Sequence, residues 1–99
     1  MRLDSIIRII DNKEYEKVTV YRMPVFERFD VSLYNGDLIR IEKISIYGAM
    51  PKWIKYRLSY FTFELDDTID HWEGEYGTNV YCILSNIYNE ISKEFEVEN

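Results

Sequence analysis

The sequence predicts a single α+β domain in which a three- to four-stranded antiparallel β meander packs against a long C-terminal helix, with a short N-terminal helix. Three observations predict this class: alternating β-branched segments in the first half, a tight turn at Tyr34-Asn35-Gly36, and a helical stripe of apolar residues near the end. The 99 residues, 46% of them hydrophobic, suffice for one core. We therefore expect residues 1–99 to form one domain and residues 95–99 to be a frayed tail.

The N-terminal segment carries the pattern of a short amphipathic helix. Leu3, Ile6, Ile7 and Ile10 recur with the spacing of one helical face. Asp4 is the expected N-cap, and Asp11-Asn12 is the expected stop. Because Ile9 interrupts the polar face, an edge strand remains the alternative.

The first strands are predicted by β-branched alternation. Lys17–Arg22 is such a segment, and Pro24 ends it or places it at a sheet edge. Two further segments, Phe26–Leu33 and Asp37–Tyr47, flank the Asn-Gly turn and form a predicted hairpin.

The register of this hairpin follows from matching side chains across its strands. A two-residue turn would place charged groups opposite apolar ones. A three-residue loop with Gly36 in the left-handed conformation places apolar groups opposite apolar groups and each charged group opposite one of opposite sign. We therefore predict four cross-strand pairs: Val31 with Ile39, Phe29 with Ile41, Asp30 with Arg40, and Arg28 with Glu42.

The second half is predicted to contain one strand, one loop and one helix. Pro51 opens a short turn, and Tyr56–Leu65 carries apolar groups on both faces, as expected of a central strand. Asp66–Gly77 has no clear period and is predicted to be an acidic loop with one helical turn. Thr78 or Asn79 caps a final helix, whose core stripe is Val80, Ile83, Leu84, Ile87, Tyr88, Ile91 and Phe95.

The charge is distributed unevenly along the chain. The net charge of −6 combines a first part, residues 1–63, at +3 with a last part, residues 64–99, at −9. An acidic surface repels phosphates and argues against direct nucleic-acid binding, but it suits the basic groove of a nucleic-acid enzyme. The candidate partner-binding residues are Glu64, Asp66, Asp67, Asp70, Glu73, Glu75, Glu90 and Glu94. Ordinary solubilising charge is the alternative.

Catalytic motifs are absent from the sequence, so we expect a protein that is not an enzyme. The sequence contains no phosphate-binding loop, no dinucleotide-binding fingerprint, no nucleophile elbow and no zinc-protease motif. One group of residues suits a divalent metal ion: if residues 67–71 were helical, Asp67 and His71 would share a face, with Asp70 adjacent. The alternative is a solvated turn without a metal or any other cofactor.

The sequence also predicts a compartment. No apolar run reaches the length of a membrane span, and the start, Met-Arg-Leu-Asp-Ser, lacks the apolar region of a signal peptide. A single cysteine, Cys82, excludes an internal disulfide and is expected to be a packing residue. We therefore expect a protein of the bacterial host cytoplasm, a monomer or a homodimer, without membrane contact.

The size, the acidic composition and the helix–strand–helix pattern around Tyr34-Asn35-Gly36-Asp37 resemble small phage- or mobile-element-encoded anti-CRISPR and other anti-defence proteins. The resemblance is compositional and implies no residue roles. It implies a non-enzymatic inhibitor that binds a host protein, such as a CRISPR effector nuclease, through the acidic surface. The alternatives are a metal-binding protein that uses the Asp/His cluster and a homodimeric assembly module joined through a sheet edge or an aromatic surface.

Overall fold

The computed structural model describes residues 2–45, 50–63 and 67–95 of the chain. The order of its elements is helix α1 (Leu3–Asp11), strands β1 (Lys17–Met23), β2 (Phe26–Ser32), β3 (Leu38–Ser45), β4 (Ile54–Thr62) and β5 (Asp67–Glu75), and helix α2 (Asn79–Ser92). Short 3₁₀ turns lie at Pro51–Trp53 and Lys93–Phe95. No helix in the described part of the chain is long and apolar enough to cross a membrane.

The five strands form one antiparallel sheet in the order β1-β2-β3-β4-β5, so the α+β class is confirmed, with one or two strands more than predicted. The additional strand is β5, which occupies the segment that we predicted to be an acidic loop. It pairs with β4 from Lys55↔Glu75 to Thr62↔Asp67, with a bulge near Tyr60. Its sequence lacks the apolar alternation of a half-buried strand, and its polar side chains bond to β4, which explains why the local pattern did not indicate a strand.

The β2–β3 hairpin has the predicted register. Val31 faces Ile39 and Phe29 faces Ile41. The Leu33 N–H donates to the Asp37 carbonyl at 2.9 Å, and Gly36 has a φ of 93°. These observations confirm the three-residue loop with Gly36 in the left-handed conformation. Only glycine adopts this conformation without a steric cost.

One face of the sheet, the core face, carries the hydrophobic core and both helices. Phe29, Leu58 and Leu84 are fully buried there, and the Tyr88 ring of α2 lies 4.9 Å from the Phe29 ring. The short helix α1 contributes Ile6 and Ile10 to the same cluster. The predicted helical stripe of α2 is thus a core stripe along most of its length. Residues 96–99 of the predicted tail lie outside the described residues.

The ends of the helices agree with the sequence at most points. Asn12 is the C-cap of α1, and Thr78 is the N-cap of α2, accepting a hydrogen bond from the Tyr81 N–H at 3.1 Å. The prediction that Asp4 caps α1 was wrong, because the N-cap is Arg2 and Asp4 lies in the first turn. Cys82 is exposed on α2 instead of being a packing residue.

Helix α2 approaches β5 unusually closely at Gly74. A Cβ atom at this position would lie 2.7 Å from both the Cα and the N atom of Tyr81. Such a distance is shorter than van der Waals contact, so only glycine permits this separation between strand and helix. Gly74 therefore determines how closely the N-terminal turn of α2 packs on the edge of the sheet.

Candidate functional site: the open face of the sheet

The second face of the sheet, which we call the open face, is not covered by either helix. Cross-strand pairing defines it, because side chains of paired residues lie on the same side of a sheet. Its central row runs from Thr19 through Asp30, Arg40 and Ser59 to His71. The neighbouring row contains Tyr21, Arg28, Glu42, Arg57 and Glu73.

An arginine–carboxylate cluster lies at the centre of the open face. The Asp30 carboxylate is nearly buried and accepts two hydrogen bonds from Arg40, from Nε at 2.9 Å and from Nη2 at 3.3 Å. The Nε atom of Arg28 lies 3.2 Å from the same carboxylate. A two-pronged guanidinium contact of this kind fixes the side chains in one geometry. The hydrogen bond from Arg40 to Asp30 also raises the pKa of Arg40.

Both arginines also stack on aromatic rings. The Arg28 guanidinium lies 4.1 Å from the centre of the Tyr21 ring, and that of Arg40 lies 4.9 Å from the centre of the Phe61 ring. These distances are within the range of cation–π attraction. The stacking holds the two rings in fixed positions, although Tyr21 is 38% exposed.

A second polar cluster joins β4 to β5. Lys55 Nζ lies 3.1 Å and Arg57 Nε 3.7 Å from the carboxylate of Glu73. The hydrogen bond from Lys55, followed by that from His71, lowers the pKa of Glu73. Glu73 is therefore an ionised group whose negative charge is balanced by the cationic side chains of Lys55 and Arg57, from the first two-thirds of the chain.

Ser59, His71 and Glu73 form a chain of hydrogen bonds that the sequence did not indicate. Ser59 Oγ lies 3.0 Å from His71 Nδ1, and His71 Nε2 lies 3.3 Å from a Glu73 oxygen. The residue types are those of a catalytic triad, but the Ser59 residue is only 6% exposed. A nucleophile needs access to its substrate, and Glu73 is already held by Lys55. We interpret this chain as a structural link between β4 and β5.

Apolar side chains border the charged rows at both ends of the open face. At one end, Met23 faces Phe26, which in turn faces Ile44. At the other end, Leu38 faces Phe61. The exposed Tyr34 and Phe63 rings extend beyond this second end, at 76% and 73% exposure. The open face thus has a charged centre and two apolar margins.

The structure does not gather the predicted acidic residues on one surface. Glu73 and Glu75 are on the open face, whereas Glu90 is on α2 and Glu94 lies in the 3₁₀ turn that follows α2, in the opposite layer. Glu90 pairs with Lys93 at 3.2 Å. Glu94 lies 3.6 Å from Lys13 and accepts a 2.6 Å hydrogen bond from the Tyr15 hydroxyl. Burial, followed by this hydrogen bond, raises the pKa of Tyr15. Glu64 and Asp66 lie outside the described residues, as does the side chain of Asp67.

The predicted metal site required a helix that does not exist. Residues 67–71 belong to β5, where Asp70 faces Tyr60 and His71 faces Ser59, so the two side chains lie on opposite sides of the sheet. In the described part of the chain, no three His, Cys, Asp or Glu side chains lie close enough together to hold a metal ion. The helical arrangement expected of residues 67–71 was therefore wrong, whereas metal binding by Asp67, Asp70 and His71 stays a prediction, because the side chain of Asp67 lies outside the described residues.

Comparison with known proteins gives no relative. No family model, curated protein or solved structure matches the chain.

Proposed function

We propose that the chain is a non-enzymatic protein-binding domain and that the open face of the sheet is its contact surface. The observation that carries this proposal is the pair of fixed arginine–aromatic stacks, Arg28 on Tyr21 and Arg40 on Phe61, on a face that neither helix covers. Arginine and tyrosine are enriched among the residues that contribute most to protein interfaces. Side chains already held in place lose less entropy when a partner binds.

The charge of the open face favours a protein partner over a nucleic acid. Arg28, Arg40 and Arg57 alternate with Asp30 and Glu42 across the strands. A phosphate backbone requires a net positive surface, whereas interleaved charges of both signs match the mixed polar surface of a protein. The apolar margins supply the area whose burial would drive association.

The size of the open face sets the class of interaction. Five strands of seven to nine residues each, about 4.8 Å apart, span a plane of roughly 600 Å². A stable interface buries about 800 Å² on each partner, so the face alone suits a weaker complex. The exposed rings of Tyr34 and Phe63, beyond one margin, would enlarge the contact.

Inhibition of a nucleic-acid-processing enzyme through an acidic surface remains a prediction. Among the described residues its electrostatic basis is reduced, because Glu73 and Glu94 are each paired with a lysine of the first two-thirds of the chain. The open face supports binding to a protein without specifying the partner's activity.

Site-specific photo-crosslinking in the source cell tests the proposal. A photoreactive phenylalanine analogue replaces Tyr21 or Phe63, which are both exposed at or beside the open face. The matched control carries the same analogue at Asn86, which is exposed on α2 in the opposite layer. We expect one protein to be crosslinked from both open-face positions and not from Asn86.

Crosslinking of that protein from Asn86 alone, or of no protein from either open-face position, would contradict the proposal. Substitution of Tyr21 by serine should also weaken binding of the captured protein by at least about 10-fold, the effect expected of an aromatic contact residue. The Asn86→Ala variant should bind like the wild type.

A further inference from the structure

The two edges of the sheet differ in how well they are protected against pairing with another strand. An edge strand exposes unpaired N–H and C=O groups, and proteins commonly block such edges with bulges, prolines or charges. The β5 edge has a bulge beside its Tyr60 partner and carries Asp70, Glu73 and Glu75. Antiparallel pairing of β5 with a second β5 would place these like charges close together.

The β1 edge has neither a bulge nor a proline within Lys17–Met23, and its two charged residues, Lys17 and Arg22, lie near its ends. Its pairing with β2 is regular over all seven residues, from Lys17↔Ser32 to Met23↔Phe26, and Pro24 follows only after the strand has ended. Val18, Thr19 and Val20 favour extended backbone. In the described part of the chain, no further strand pairs with the outer side of β1.

We propose that β1 pairs with β1 of a second copy of this chain, in an antiparallel arrangement centred on Thr19. This register places Val18 opposite Val20 of the second copy and Lys17 opposite Tyr21, and it brings Glu16, which lies in the bend directly before β1, near Arg22. It joins apolar groups to apolar groups, a cation to an aromatic ring, and an anion to a cation, and symmetry forms each of these pairs twice.

The charges in and directly before β1 favour this register over the one centred on Val20. A shift of the axis by one residue, to Val20, would place Val18 opposite Arg22 and Lys17 opposite Met23. This alternative loses the ion pair and places a charge against an apolar group. Arg22 already lies 3.3 Å from Glu27 of its own chain and is more than half exposed, so it remains accessible to Glu16 of the second copy.

The pairing would produce a continuous ten-stranded sheet from two copies. Its joined open face would span a plane of roughly 1,200 Å², above the area that a stable protein interface requires on one side. The dimer does not depend on the binding function proposed above, since it follows from the strand edge alone.

Charge reversal tests both the edge and the register. Glu16→Arg would bring an arginine near Arg22 of the second copy, and Arg22→Glu would bring a glutamate near Glu16 of the second copy. The double variant E16R/R22E restores opposite charges. The matched control is Arg8→Glu, a charge reversal of the same size at an exposed position of α1. Sedimentation velocity over micromolar to millimolar concentrations measures association, and circular dichroism confirms that each variant is folded.

We expect the wild type and Arg8→Glu to shift from the 12.0 kDa monomer toward twice that mass as concentration rises. Glu16→Arg and Arg22→Glu should each raise the dissociation constant about 10-fold or more, and the double variant should recover most of the loss. A wild type that stays monomeric at millimolar concentration overturns the proposal. So does a dimer that is indifferent to both single variants, or one that the double variant fails to restore.

Discussion

Replacing Gly74 by alanine should destabilise the protein by about 2 kcal/mol. The new Cβ would lie 2.7 Å from the Tyr81 main chain and 3.0 Å from the Val80 carbonyl carbon, so the first turn of α2 must move away from β5. Overpacking of this kind costs about 1–3 kcal/mol. The lower flexibility of the unfolded alanine chain returns less than about 1 kcal/mol. Because the obstacle is backbone, a change of side-chain rotamer cannot relieve it, and the cost should lie in the upper part of this range.

Urea unfolding, followed by circular dichroism, measures this change in the free energy of unfolding. For a domain of this size, about 2 kcal/mol corresponds to a decrease of about 8–16 °C in Tm. The double variant Gly74→Ala/Tyr81→Ala should be no more stable than Gly74→Ala, because the Tyr81 ring is not the obstacle. A Gly74→Ala protein within about 0.5 kcal/mol of the wild type would refute the close approach of α2 to β5.

Three further predictions concern side chains that hold the fold. Burial raises the pKa of Tyr56 and of Tyr60 to about 12. The stabilisation that the neutral phenols provide is therefore complete below pH 10 and is lost as pH rises toward 12. The urea midpoint of unfolding should fall over this interval, and it should fall less steeply in the Tyr60→Phe variant. Asp30→Ala leaves the Arg40 guanidinium without its carboxylate and should lower the free energy of unfolding by about 1.5–3 kcal/mol, with little dependence on salt. Urea unfolding at low and high salt measures this loss, and a loss below about 0.5 kcal/mol would contradict the prediction. Thr78→Ala removes the N-cap of α2 and should cost about 1 kcal/mol in the same assay, whereas Thr78→Ser should be near neutral.

The parts of the fold that the sequence predicted are those determined by neighbouring residues. The hairpin register followed from its turn and from complementary pairs such as Asp30 with Arg40. The final helix followed from its apolar period and from Thr78, whose hydroxyl accepts from the Tyr81 N–H. Both kinds of signal act over a few residues or across one tight turn.

The strand β5 could not be predicted from its own residues, because polar contacts with β4, and not an apolar alternation, hold it in the sheet. Its sequence, Asp-Thr-Ile-Asp-His-Trp-Glu-Gly-Glu, lacks apolar alternation, and its polar groups are satisfied by β4. Lys55 holds Glu73, and Ser59 holds His71. For the same reason the candidate site was predicted only in part: the Arg40–Asp30 pair was foreseen, whereas the Ser59–His71–Glu73 chain was not.

The open face exists in its present form only if β5 lies beside β4. A nuclear Overhauser spectrum of the labelled protein tests this most directly, because backbone protons of antiparallel neighbours lie close together. We expect cross-strand contacts between Arg57 and Glu73, between Leu58 and Trp72, and between Ser59 and His71. A spectrum without these contacts, with helical contacts between residues 67 and 71 instead, would contradict the account and restore the acidic loop.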